Sequence, residues 1–490
     1  MNRKVRQLLL LMGLLLVVSI ATLITSFYEE KQEQISTTED VILAVETADA
    51  TAISWEFEDE DAEDEEAASG SFTFTLTDGA WVYEDDESFP TDTEAIESLL
   101  EVFSEFTAAF IIEDVDDYSQ YGLSDPCAEI TITTDDGDYV IELGDFSTMD
   151  AQRYVSVGDG NVYLVSVDPM DYYALALSDL IDNDEAPSFD AVTTVDIDGD
   201  ETYTITYEEE STYAYSEEDV YFTDATGGTT PLDADAVDDY LSTISSLDLT
   251  DYLTYSLTDD DLADYGLDAP ELVVTVAYTD IVTDEDGEET EESGTFVITV
   301  ARDADQIEAA LEAEEEEDTD TDEEEGYAAY VRIGDSAIVY GIDSSTYTSL
   351  MAVGYTDLCH LELVPFDESE IVSVDIALDG ETYTFTTAAD EEDEETIVWY
   401  YEEEEIDGSD FESELTGLSL TERDDAVEEG TEEISVTVTL SNANYSSVSF
   451  TLYRYDGESC TVYVDGEALG LVSRSDAMDL VEAVNSIVLN

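Results

Sequence analysis

A chain of 490 residues with 10 basic and 129 acidic side chains has a formal charge of −119. That excludes nucleic acid as a partner and an anionic lipid surface for its bulk, because phosphate binding needs Lys and Arg. The 43% hydrophobic and 10% aromatic content is still enough for packed cores, so the acidity belongs to a surface rather than to wholesale disorder. The length suits two to four domains, and Cys127, Cys359 and Cys460 are too far apart for a disulfide framework or a CxxC metal motif.

Residues 1–7 carry Arg3, Lys4 and Arg6, and residues 8–27 run without a charge for the length of a membrane-spanning helix. The expectation is a retained single-pass anchor with its N-terminus in the cytoplasm and the acidic bulk outside the membrane. Cleavage after Ser19-Ile20-Ala21 is the rival reading; the apolar run continues past it through Leu23 and Ile24, which favours the anchor.

Residues 41–53 read as a first strand or spacer, and the acidic 56–66 as a loop. Alternation over 71–76, a turn at Asp78-Gly79 and a return through Trp81-Val82-Tyr83 predict a hairpin. After Pro90, the apolar positions Ala95, Ile96, Leu99, Leu100, Phe103 and Phe106 predict an amphipathic helix. Strands are then expected over 128–133, 139–143, 153–157 and 162–167, with a short helix over 172–181.

The order repeats. Strands over 203–207 and 220–222 precede a helix that begins at Pro231 with Ala236, Val237, Tyr240, Leu241, Ile244 and Leu247, and strands over 272–278, 295–300, 329–333 and 338–340 precede a helix over 346–353. Two acidic insertions, 283–292 and 312–325, read as solvated loops. Between helix and strands, Tyr121-Gly122-Leu123-Ser124-Asp125-Pro126 returns as Tyr265-Gly266-Leu267-Asp268-Ala269-Pro270. The pair marks a structural corner in a repeat protein. A third, diverged unit, with strands from residue 371, a helix around Phe411, Leu415 and Leu418, four more strands and a terminal helix over 476–487, lacks this corner.

The fold expected is α+β, an N-terminal transmembrane helix followed by tandem antiparallel sheets with packed helices. The divisions are 1–28 (basic tip and anchor), 29–51 (spacer), 52–186, 187–362 and 363–490. The two corners, the Pro-initiated helix and the hairpin from Asp78 to Tyr83 resemble an uncharacterised bacterial envelope family, domain of unknown function 4340, over roughly 70–182 and 195–360, and only loosely after 370. The resemblance implies a membrane-tethered, outer-face partner of a gliding-motility-type ABC transporter, and it implies no catalytic residues.

For chemistry, a triad or a His-rich metal site would depend on His360, the only histidine, and beside an apolar stretch it reads as structural. Among 129 acids no spacing selects a glycosidase pair. Asp196, Asp198 and Asp200, and Asp284 and Asp286, resemble fragments of calcium loops without the terminal Glu; the first group also reads as a hairpin turn, leaving weak calcium binding over the surface. A row of Tyr203, Tyr207, Tyr213 and Tyr215 would suit either half-buried strands or a glycan- or protein-binding face. No phosphate loop or dinucleotide fingerprint is present, so no nucleotide cofactor is expected. The function expected is a non-enzymatic accessory or scaffold protein, with a cation-dependent surface binding module or adhesin as the alternative and a carboxylate-based envelope hydrolase as a remote one. The acidity suits high ionic strength or solubility at a cell surface.

Overall fold

The computed structural model describes residues 40–489 except 60–67, 114, 190, 284–288, 308–326, 390–396, 425 and 465. The expected anchor, Asp284, Asp286 and the whole of the second acidic insertion lie outside the described residues, among which no helix is long and apolar enough to cross a membrane. The chain divides into two compact units, 1–183 and 184–490.

Mostly antiparallel sheets with a few helices make this a sheet-rich α+β fold. The first unit runs β1 (Asp40–Leu43), β2 (Ala50–Glu58), β3 (Ser69–Thr77), β4 (Ala80–Tyr83), α1 (Thr93–Glu101), β5 (Phe106–Ala108), β6 (Phe110–Ile112), β7 (Ala128–Thr134), β8 (Gly137–Ser147), β9 (Gln152–Ser156), β10 (Val162–Val165) and α2 (Met170–Tyr173). Its main sheet has the order β4-β3-β2-β7-β8-β9-β10-β6. The helix therefore carries the chain from one sheet edge to the other.

The second unit holds two sheets. One comprises β11 (Ala191–Asp198), β12 (Thr202–Tyr207), β13 (Tyr221–Thr223), β14 (Thr230–Pro231), α3 (Ala234–Ser245), β15 (Tyr252–Thr254), β16 (Leu272–Thr283), β17 (Glu289–Ala301), β18 (Ala329–Ile333) and β19 (Val339–Ile342), followed by α4 (Ser344–Met351) and α5 (Tyr355–Leu358). The other comprises β20 (Ile371–Leu378), β21 (Glu381–Ala389), β22 (Ile397–Tyr401), β23 (Glu404–Ile406), α6 (Ser409–Thr416), β24 (Leu420–Arg423), β25 (Thr431–Leu440), β26 (Ser447–Arg454), β27 (Ser459–Val464), β28 (Glu467–Ser473) and α7 (Arg474–Val488). Their orders, β14-β13-β12-β11-β16-β17-β18-β19-β15 and β23-β22-β21-β20-β25-β26-β27-β28-β24, repeat the first sheet with one strand added at an edge.

Local chemistry explains the elements. Asp92 and Asp233 accept the first free amides of α1 and α3, each cap contributing about 1 kcal/mol. Ile96, Leu99 and Leu100 face the core from α1, at roughly 1.5–3 kcal/mol each. The helix stops at Glu101, earlier than its apolar spacing predicts, and Phe106 belongs to β5. Asp78-Gly79 and Asp379-Gly380 turn their hairpins with positive φ at both residues, the backbone that two-residue hairpins require.

Three other expectations are corrected. The acidic stretch from Glu56 is not wholly loop, because Glu56 and Glu58 end central strand β2, whose inward positions are Ile53, Trp55 and Phe57. The central strand β11 takes in Asp196 and Asp198, whose carboxylates alternate outward between the buried Val195 and Ile197. The expected insertion at 283–292 is partly ladder, since β16 and β17 stay paired as far as Thr283 and Glu289. In β2 and β11 alternation puts the acids on the solvent face of the strand.

Candidate functional site

The repeated corners carry packing. A short helical turn ends at Gly122 with φ 72° and at Gly266 with φ 68°. A Cβ at Gly122 would lie 2.6 Å from the Asp145 amide nitrogen, and one at Gly266 would lie 2.1 Å from the Arg302 carbonyl oxygen. Only glycine fits both the conformation and the close approach. Tyr121 meets the Tyr154 ring at 5.0 Å, Tyr265 meets Tyr330 at 5.2 Å, and Leu123 and Leu267 are buried. Pro126 is half-buried and Pro270 exposed.

Asp196 and Asp198 accept hydrogen bonds from Thr204 (2.6 Å) and Thr202 (3.1 Å) across the β11–β12 hairpin, and Asp200 lies in its exposed turn. They are strung along a strand and its turn rather than wrapped round a common point. The tyrosine row is broken as well: Tyr203 is buried and donates to the Val353 carbonyl, and Tyr215 packs on Phe366, while Tyr207 and Tyr213 are exposed.

Two carboxyls meet in a cavity of about 450 Å³ lined by Glu368, Trp399, Glu412, Ser413 and Thr416. Trp399 Nε1 donates to Glu412 at 2.5 Å. Burial, and then the hydrogen-bonded Glu412, hold Glu368 above the usual carboxylate range. Carboxyls in hydrogen-bond contact are closer than the roughly 5 Å minimum of a glycosidase pair.

Titratable groups of different kinds converge where the second sheet's helices lead into the third sheet. His360 follows α5, on a connector that pairs with the third sheet: Leu420 N–H donates to the Leu361 carbonyl at 2.7 Å, Leu363 N–H to the Leu418 carbonyl at 3.0 Å, and Glu362 bridges Ser419. From the other side, Asp233 N–H donates to the Leu358 carbonyl at 2.9 Å.

His360 Nε2 lies 3.0 Å from Asp219 Oδ1. The Asp219 side chain is 2% exposed, and its Oδ2 accepts the amides of Tyr215 (2.6 Å) and Ser216 (3.1 Å). Nδ1 lies 3.9 Å from Glu362 Oε2. One donor atom each from Asp233, His360 and Glu362 lies within 4.8 Å of the other two. Burial works against the imidazolium, but the carboxylates of Asp219 and Glu362, then the charge of Asp233, outweigh it and push His360 up to about 9. Arg423 lies over the Tyr355 ring and reaches the His360 carbonyl rather than its ring.

Around this cluster the 211–219 segment reaches the third sheet. Asn442 donates to the Tyr215 carbonyl, Asn444 to those of Ser211 and Ala214, and Tyr445 Oη to that of Tyr213, at 2.9–3.1 Å. Tyr215 contacts the rings of His360, Phe366 and Tyr445 at 5.1–5.5 Å. A cavity of about 190 Å³ adjoins, lined by Tyr215, Tyr355, His360, Glu362 and Arg423 among others. The thiols are free, and burial raises all three.

His360 was visible in the sequence; Asp219, 141 residues away, was not. No periodicity links them, and nothing distinguishes Asp219 or Asp233 from the other acids before the chain is folded.

A family model described as Domain of unknown function (DUF4340) matches residues 81–270 and, again, 225–442. The second match crosses the His360 junction and enters the third sheet, farther than the motif resemblance reaches. Comparisons with curated proteins and with solved structures find no match.

Proposed function

From a chain that belongs to the family described as Domain of unknown function (DUF4340), we infer a non-enzymatic accessory or scaffold protein. In this reading it is held at the membrane by an N-terminal helix, with its bulk on the outer face, beside an ABC transporter. The observation that carries the non-enzymatic part is the junction. The only histidine has one ring nitrogen on a nearly inaccessible carboxylate, and its neighbours tie two sheets together. A general base needs a nitrogen within reach of a substrate proton, whereas here Nε2 is held by Asp219 and Nδ1 faces Glu362 Oε2 at 3.9 Å. Three sheets of one strand order suit a spacer or platform that presents edges and loops.

The test is affinity purification of the tagged full chain from gently solubilised membranes of its host. Recovery of transporter subunits in fixed proportion supports the reading. A chain found in the soluble fraction, or one that leaves the membrane without such subunits, overturns it.

A further inference from the structure

The His360 cluster is assembled as a metal site is assembled. In many such sites a ligating imidazole donates its other N–H to a carboxylate, which fixes the tautomer and turns the free lone pair towards the metal. Here the buried Asp219 takes Nε2, and Asp219 is itself fixed by two backbone amides. That leaves the Nδ1 lone pair of the neutral imidazole facing Glu362 Oε2 at 3.9 Å.

Asp233 is equally committed. Its Oδ1 accepts the Asp235 and Ala236 amides at the start of α3, so Oδ2 is the oxygen left for a ligand. Glu362, with its side chain 42% exposed, is the adjustable member. Donor atoms on one ion with bonds of about 2.0–2.2 Å stand roughly 3.5 Å apart, so the 3.9 Å between Nδ1 and Glu362 Oε2 must shorten by about 0.4 Å, and no pair of the set, all within 4.8 Å, by more than about 1.3 Å.

Charge points the same way. Asp219, Asp233 and Glu362 contribute −3 and Arg423 +1, so the cluster around a neutral imidazole sums to −2, which a divalent ion neutralises. One imidazole nitrogen with two carboxylate oxygens favours a borderline ion such as Zn²⁺ over Ca²⁺ or Mg²⁺, which prefer oxygen alone.

The geometry points to a divalent transition-metal site formed by Asp233, His360 Nδ1 and Glu362, with Asp219 as the positioning residue. An ion there would link the start of α3 in the second sheet's set to the connector paired with the third, and so fix the junction between them. This assignment does not depend on the transporter reading.

The only histidine makes the test direct. The full-length protein, labelled with ¹⁵N-histidine and stripped with EDTA, is titrated with Zn²⁺ in millimolar Mg²⁺, which occupies indiscriminate carboxylates. Expected is one equivalent of Zn²⁺ bound per chain, a shift of the Nδ1 resonance and retention of the proton on Nε2. His360→Gln should abolish that equivalent. Glu362→Gln, at an exposed position that leaves the fold intact, should weaken it at least tenfold, and Asp219→Asn by about 10- to 100-fold. Absence of any change at Nδ1 at one equivalent, or Zn²⁺ affinity in Glu362→Gln equal to that of the parent, overturns the assignment.

Discussion

The first two sheets and the third reach one strand order with different side chains. In all three the central strand slips register at the same place, between Ala50 and Ala52, between Val192 and Thr194, and between Ile371 and Ser373. The bulged residue is Thr51 or Thr193 in the first two, each donating to a carbonyl across the ladder. In the third it is Val372, and Thr387 of the adjacent strand supplies the hydroxyl, donating to the Ile371 carbonyl. The corner differs in the same way. Tyr-Gly-Leu is absent from the third unit, where Tyr463 Oη holds the Val427 carbonyl at 2.8 Å and Thr461 the Glu428 carbonyl at 3.3 Å. Ladder, bulge and edge-to-edge helix persist while the groups that secure them change partners. The strand order thus rests on alternation and pairing, and the motifs are local closures.

The strongest way to break that comparison is at the glycines. Gly266→Ala meets a left-handed backbone and a carbonyl at 2.1 Å, and should cost roughly 3 kcal/mol or more. Gly430, at the equivalent approach in the third unit, has its would-be Cβ 2.0 Å from the Arg454 carbonyl without a positive φ. Gly430→Ala should therefore cost somewhat less, about 2–3 kcal/mol. Urea unfolding of both variants measures this. A neutral Gly430→Ala would mean that the third unit closes by a different principle.

Next in size is the junction between the second and third sheets. In the metal-free protein His360 is charged and faces Asp219 from the 211–219 segment, Asp233 from the start of α3 and Glu362 on its own connector, with Arg423 of β24 the nearby cation. Its folded value, about 9, stands above the unfolded 6.5. The stabilisation is therefore complete below about pH 6.5 and lost as pH rises through 9, on the order of 2 kcal/mol. Unfolding midpoints in EDTA should fall over that window, and His360→Gln should flatten the fall.

Tyr463→Phe removes one hydroxyl from a half-buried carbonyl contact and should cost about 1 kcal/mol. A change at the first corner, Tyr121→Phe, keeps the ring on Tyr154 and should cost less. Equal losses in the two variants would show that the corner hydroxyls matter alike in both designs.

What could be read from the sequence follows from the same contrast. Strands with polar outward positions of Thr and Ser, such as 434–440 and 447–453, were visible in their alternation, as were the Pro-initiated helices in their apolar spacing. The ends of β2 and β11 were obscured because their outward positions there are Glu56 and Glu58, and Asp196 and Asp198, which read as loop when charge is taken without its period. The corner was recognisable because it occurs twice. The junction was not, since it joins Asp219, Asp233 and His360 through folding alone, and a resemblance carried by short motifs could not follow a third unit that had replaced them.

The smallest effect expected bears on the acidic hairpins. Asp196 accepts from Thr204 at 2.6 Å in the second sheet, and Asp375 accepts from Thr384 at 2.5 Å in the third. Both pairs span the first hairpin on its exposed face, so the repeat itself explains the acid. Asp196→Asn and Asp375→Asn keep an acceptor and should each change stability by less than about 0.5 kcal/mol. Because Asp196 and Asp198 are separated along a strand and already paired with hydroxyls, calcium should raise the melting temperature no further than NaCl of matched ionic strength, in parent and variants alike. A saturable calcium effect lost in Asp196→Asn but kept in Asp375→Asn would give the second hairpin a role that the third lacks.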